Sequence, residues 1–135
     1  MQVTTQSYDS VPTGQHISTI IGIEISNNVR FGQYVADVFK PIYRVKENTV
    51  RDNGIFRYKQ AKGFLYDPKK NWGYAKFLNV MGVKKNNAID ERYKFENLVG
   101  KLVQIEVYDK VFTNEFSKRV KYPVARLLKK VEIPF

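Results

Sequence analysis

Aromatic and cationic side chains alternate through the middle of this chain. Tyr43, Phe56, Tyr58, Phe64, Tyr66, Trp72 and Tyr74 stand among Arg44, Arg57, Lys59, Lys62, Lys69, Lys70 and Lys76. The chemistry this mixture suits is non-covalent. Flat rings stack on unpaired bases while cations follow the phosphates, and each stacked base is worth roughly 1–3 kcal/mol whatever its identity. Some of these rings must also build the core.

The charge map points the same way. The 135 residues carry a net charge of +10. Residues 40–76 hold +7 and residues 110–130 hold +6, so two stretches supply more than the whole excess. Charge concentrated like this suits a polyanion, with nucleic acid ahead of an anionic membrane surface. A basic surface that only aids solubility is the plainer reading. The second stretch adds Lys110, Lys118, Arg119 and Lys121.

Residues that would signal catalysis are sparse. His16 is the one histidine, and it has no cysteine or acidic partner at ligand spacing. There is no phosphate-binding glycine loop, dinucleotide fingerprint or nucleophile elbow. Glu24, Asp37 and Glu106 could meet on one sheet to hold Mg²⁺ for phosphodiester cleavage, but no local motif links them. The expectation is a non-enzymatic chain with no catalytic residues, metal or cofactor. Cysteine is absent, which fits a reducing cytoplasm. No apolar run approaches the roughly 18 residues of a membrane span, and the N-terminus does not read as a signal peptide.

The elements that must position these residues read as mostly strand. Residues 1–14 form a polar lead-in, and 15–135 are expected to be one domain. Residues 15–26 are a strand with Ile17, Ile21, Ile23 and Ile25 on one parity, and Gly22 allows a bulge. Asn27-Asn28 is the expected turn into a second strand, 29–45, where Pro41 demands an edge or bulge. Residues 46–54 read as a polar loop and 55–60 as a third strand. Within 71–83 the spacing of Ala75, Leu78 and Met81 predicts a short helix with Gly82 past its end. Residues 84–97 read as a loop. A strand over 98–109 points Val103, Ile105 and Val107 inward, a hairpin tip covers 110–118, and a last strand covers 119–133. The expected fold is all-β with one short helix: a five-stranded OB-fold, a Greek-key barrel with its helix between strands three and four. That fold binds on strands two and three, flanked by two loops.

On that face the stacking candidates are Tyr34, Phe56, Tyr58, Tyr66, Trp72, Tyr74 and Tyr108, with Tyr58, Trp72 and Tyr74 first. The backbone-tracking cations are the Lys and Arg residues of 44–76 and 110–126.

The last four residues, Glu132-Ile133-Pro134-Phe135, resemble the C-terminal tip of bacterial single-stranded DNA-binding proteins. The rest is similar in pattern to the compact OB-fold single-stranded DNA-binding proteins of phages. The matching parts are VRFGQYVADVFK, NWGYAKFLNVMGV and NLVGKLVQIEVYD. The resemblance implies binding of single-stranded DNA during replication and recombination, in a host bacterial cytoplasm for a phage-encoded chain. It also implies a tip whose Phe enters an apolar pocket on replication or recombination partners while its carboxylate meets a basic residue. This tip is shorter and less acidic than the family's, since Lys129 and Lys130 precede Glu132. Packing of Ile133 and Phe135 on the barrel is the other reading. RNA stays open beside DNA, and so does a homo-oligomer. The rival function is a structural or adaptor protein of a phage particle or replisome, with the aromatic face as a protein interface.

Overall fold

The computed structural model describes residues 10–59, 66–67, 69–82, 95–113 and 115–131. Lys62, Phe64 and the four tip residues Glu132, Ile133, Pro134 and Phe135 lie outside the described residues, as does most of the 84–97 stretch.

Among the described residues the chain is an antiparallel sheet with one short α-helix, as expected. Its first hairpin differs from the expectation. Strand β1 (Gly14–Phe31) runs straight through Asn27-Asn28, and the turn comes at Gly32-Gln33, with Phe31 paired to Tyr34 at the start of β2 (Tyr34–Val45). Gly32 has φ +61° and Gln33 stays at negative φ. That pattern belongs to the two-residue hairpin turn that favours glycine first. Asn28 supplies a bulge instead of a turn: φ is +57°, the register slips between Ser26 and Val29, and its N–H donates to Asp37 Oδ1 at 3.0 Å.

A second slip, between Ile20 and Gly22, puts the bulge where the glycine suggested it. It also breaks the isoleucine parity. Ser18 and Ile20 point inward, Ile23 packs on the core after the slip, and Ile17, Ile21 and Ile25 are exposed.

The expected loop over 46–54 holds a strand. Lys46 takes φ +57° and turns the chain into β3 (Asn48–Arg51), whose Val50 is buried. The third strand is therefore split, into β3 and β4 (Ile55–Lys59), both paired to β2. Pro41 sits at the split, between Phe39, which pairs Ile55, and Ile42, which pairs Arg51. A proline has no N–H for a ladder. Its carbonyl takes the Asp52 N–H at 2.8 Å, where the chain leaves the sheet.

Helix α1 (Trp72–Val80) follows, with Gly82 at φ +72° just past its end, donating to Asn79 O at 3.0 Å. Its buried face is Tyr74, Phe77, Leu78 and, past the last turn, Met81. A 3₁₀ turn at Phe95–Leu98 leads into β5 (Leu102–Thr113), which pairs with β6 (Arg119–Lys130). Val103, Ile105 and Val107 face inward as predicted. Pro123 lies on β6, at the edge of the sheet order β3-β2-β1-β5-β6.

The sheet is not closed into a barrel, and here the barrel expectation is corrected. At the seam, Asp52 and Ala125 make one parallel bridge, and Asn53 N donates to Ala125 O at 2.9 Å. The split in the third strand falls at this point, so no longer ladder forms. The interior is closed by side chains instead. Phe95 stacks on Phe39 with centroids 3.8 Å apart and on Phe77 at 5.7 Å, under α1. Burial of each such ring is worth about 1.5–3 kcal/mol. Among the described residues, no helix is long and apolar enough to cross a membrane.

Candidate nucleic-acid interface

Strand alternation sorts the aromatic candidates. On β4, Phe56 and Tyr58 oppose Val38 and Ala36, while Arg57 opposes Asp37. Even positions point out of the sheet here, and odd positions point in. Phe56 and Tyr58 lie side by side with centroids 6.0 Å apart and planes 23° from parallel. Phe31 supports Phe56 edge-on at 5.4 Å, and Tyr34 supports Tyr58 edge-on at 6.3 Å. The turn at Gly32-Gln33 makes this four-ring platform, because it brings Phe31 opposite Tyr34.

The rim of the platform is cationic. Lys70 Nζ stands 4.1 Å from the Tyr34 ring centre. Hydrogen bonds from Gln33 and Lys70 hold the Tyr34 hydroxyl below its ordinary pKa. Trp72 is 73% exposed and lines, with Phe56, Tyr58 and Lys70, a hollow of about 420 Å³. Lys69 is exposed beside it, its N–H bound to Asp67 Oδ1.

The same outer face continues into a groove of about 440 Å³, lined by Lys40, Arg51, Asn53, Lys110 and Tyr122. Asn53 borders both hollows. Lys110 Nζ donates to Asn53 Oδ1 at 2.7 Å and ties the β5–β6 hairpin to the β3–β4 turn. The register puts Lys110 opposite Tyr122, and Lys121 and Arg119 on the other face of that ribbon. Phe112 packs edge-on to Tyr122 at 5.4 Å. Tyr108 is half-buried opposite Val124, where burial, then the nearby Asp52 charge, pushes its hydroxyl pKa up. Arg44 is exposed at the far end of β2. Lys118 is exposed near the ribbon apex.

Four predicted contacts are corrected. Tyr74 is fully buried and offers no face to a base, because it lies on the packed side of α1. Arg57 is 7% exposed, and its guanidinium pairs Asp37 Oδ2 at 3.2 Å and reaches Tyr74 Oη at 3.4 Å. Tyr66 donates to Asp37 Oδ2 at 3.0 Å and covers Arg57 with its ring at 4.6 Å. Lys59 points inward to Asp37 at 3.5 Å and to Asn28 Oδ1. These four hold the platform from below. Burial alone would raise Asp37, yet its bonds from Asn28, Arg57 and Tyr66, with the Lys59 charge, hold its carboxyl below the ordinary value.

Phe31, Lys40, Asn53 and Tyr122 were not among the expected site residues, and Arg51 fell within the cationic stretch 44–76 without being singled out. Pairing Phe31 with Tyr34 across the glycine turn, and Lys110 with Tyr122 across the next hairpin, would have found two of them. The Mg²⁺ trio does not converge. Glu24 pairs Arg51 at 3.0 Å, Glu106 pairs Arg126, and Asp37 lies on the opposite side of the sheet from Glu24. Among the described residues no cluster of His, Asp and Glu could hold a metal ion. His16 Nε2 lies 2.7 Å from Pro12 O.

One acid sits beneath the cationic groove. Asp52 is buried, accepting from Tyr43 Oη at 2.6 Å and Gly54 N at 2.8 Å. Burial raises its pKa from 3.8 to about 6, against the pull of Tyr43, Gly54 and Lys40. The folded chain therefore keeps a proton that the unfolded chain releases nearer pH 4. Stability falls as pH rises between the two values and stays lower above the folded one. Wild type is expected to lose about 2 kcal/mol between pH 4 and pH 7 through this group. Asp52→Asn should flatten that part of the curve in urea unfolding. An unchanged curve would remove Asp52 as the cause.

No protein-family model matches the chain, and no curated protein matches it.

Proposed function

We propose that the chain binds single-stranded DNA with little sequence preference, protecting it during replication or recombination. The observation that carries this reading is one continuous outer face, with the half-buried Phe56 and Tyr58 rings and the exposed Trp72 at one end and a cationic groove at the other. Ring spacing favours single strands. Stacked duplex bases are about 3.4 Å apart along each strand. The Phe56 and Tyr58 centroids are 6.0 Å apart, so bases must unstack from each other to use both. Recruitment of partners through Glu132–Phe135 rests on the resemblance of those residues alone.

Backbone contacts in the groove set the salt dependence. Lys40→Ala and Lys110→Ala should each lower the slope of log affinity against log salt by about one. Glu24→Gln should do the opposite, because Glu24 occupies Arg51. Removing that competitor frees the guanidinium for a phosphate, so binding tightens by several-fold at low salt. Slopes that ignore all three substitutions would take the phosphate path out of this groove. The rival reading, a protein interface on the same face, requires oligo(dT) to leave Trp72 fluorescence unchanged.

A further inference from the structure

The base-stacking candidates Tyr58 and Trp72 line one hollow from two separate elements, and one buried side chain joins them. Asn71 is fully buried and immediately precedes α1. Its Oδ1 accepts the Tyr58 N–H at 2.6 Å. Its Nδ2 donates to Tyr58 O at 3.0 Å and to Asp67 O at 2.7 Å. Asp67 N also donates to Tyr58 O at 2.9 Å. Tyr58 therefore has both outward backbone groups satisfied: its carbonyl by Asn71 and by the Asp67 N–H, next to the isolated antiparallel bridge between Lys59 and Tyr66, and its N–H by the Asn71 side chain. The amide side chain does what a strand's peptide group would do at that edge.

Asn71 gives up its usual work for this. Asparagine before a helix commonly caps the first turn. Here the side chain makes no capping bond and is turned toward β4 instead. An amide is well suited to the place, having both an acceptor for the N–H and two donors for the carbonyls. The three bonds also fix its orientation, since a flipped amide would set donor against donor and acceptor against acceptor.

We infer that Asn71 is the positioning residue of the interface, setting Tyr58 and the Lys70–Trp72 segment at a fixed separation for adjacent bases. It touches no base itself. This inference rests on the single-strand reading above.

The test compares wild type, Asn71→Ala and Asn71→Asp of the full chain. Each is titrated with labelled oligo(dT) by anisotropy and by Trp72 fluorescence, at pH 8 and pH 5, after circular dichroism has shown a cooperative melt. Both variants should bind about ten-fold more weakly at pH 8, the equivalent of one misplaced base. Trp72 quenching should fall by half or more. The salt slope should not move, because no cation has been removed. Asn71→Asp should recover at pH 5, because burial and the two facing carbonyls of Tyr58 and Asp67 push a carboxyl at this position up, and once protonated it again offers Tyr58 one acceptor and one donor. Asn71→Ala, with nothing to titrate at that position, should not recover and so corrects for Asp52.

Wild-type affinity and quenching in either folded variant would overturn the inference. So would an Asn71→Asp variant that is folded and equally weak at both pH values. If Asn71→Ala does not fold, amide exchange at Tyr58 in wild type decides instead. A protected amide supports the clamp, and exchange at the rate of an open strand edge overturns it. Failure of wild type to bind oligo(dT) sinks the single-strand reading, and the Tyr58 exchange rate then still decides whether the clamp exists.

Discussion

Phe56→Ala with Tyr58→Ala is expected to weaken oligo(dT) binding by about a hundred-fold, with the salt dependence unchanged. The magnitude comes from two lost base-stacking surfaces at about ten-fold each, the low end for such contacts. The slope stays because phosphate neutralisation belongs to Lys40 and Lys110, on the same face but in the groove. Both rings lie on the outer parity of β4 and are only half-buried, so the fold should survive. Their removal strips Phe31 and Tyr34 of ring contacts, and a modest fall in melting temperature is expected. The informative comparison is with Tyr74→Phe. Tyr74 also belongs to the aromatic run, but it is buried. Its substitution should leave oligo(dT) affinity within about two-fold. Equal losses from the two variants would mean that general destabilisation, not stacking, explains the first.

The largest stability effect should come from Asp37→Ala. Asp37 gathers Arg57, Tyr66, Lys59 and the Asn28 N–H at one carboxylate, with its side chain 4% exposed. Removing one partner of a buried ion pair typically costs about 3–5 kcal/mol, because the other charge loses its compensation in a poor solvent. Arg57 is that charge, with a side chain 9% exposed. Urea unfolding near pH 7 should show the loss. The pH dependence has a definite sign. Asp37's folded pKa is depressed, so its contribution is present above the unfolded value of 3.8 and is lost as pH falls through the folded one. The gap between wild type and Asp37→Ala should therefore narrow at strongly acid pH. A second check is Asp37→Leu with Arg57→Met. Replacing both charges by apolar groups should cost less than Asp37→Ala alone. A loss under about 1 kcal/mol in Asp37→Ala would show that the network does not hold the platform from below.

Much of the fold was legible because the periodicity was local. The α1 pattern ended at a glycine with positive φ, and the β5 alternation of Val103, Ile105 and Val107 survived into the core. One hairpin was misplaced and one strand was missed, for different reasons. Asn27-Asn28 looked like a turn, but Asn28 spends its left-handed conformation on a bulge whose N–H is drawn to Asp37. That partner lies nine residues away and is visible only once the strands are paired. Strand β3 was hidden because one buried residue, Val50, is too little apolar signal among polar neighbours.

The candidate interface was legible as composition and not as geometry. A run of alternating rings and cations says that some residues contact a ligand. Which ones depends on parity. Arg57 and Lys59 carry the same charge as Lys70, yet both occupy inward positions of β4, opposite Asp37 and Val35, and both reach the Asp37 carboxylate. Tyr74 and Trp72 are two residues apart on one helix, and that spacing puts one ring in the core and the other 73% in solvent. Lys40 and Arg51 reach the groove only because Pro41 and Asp52 split the third strand beside them.

The most direct test of the central claim is one titration. Labelled oligo(dT), duplex DNA of the same length and matching RNA are bound to the full chain at two salt concentrations, with Trp72 fluorescence followed in parallel. The outer face predicts tight, salt-sensitive binding of oligo(dT), much weaker binding of the duplex, and quenching of Trp72 on saturation. Equal affinity for duplex and single strand would contradict it, and so would oligo(dT) binding that leaves both Trp72 and the salt slope at zero change.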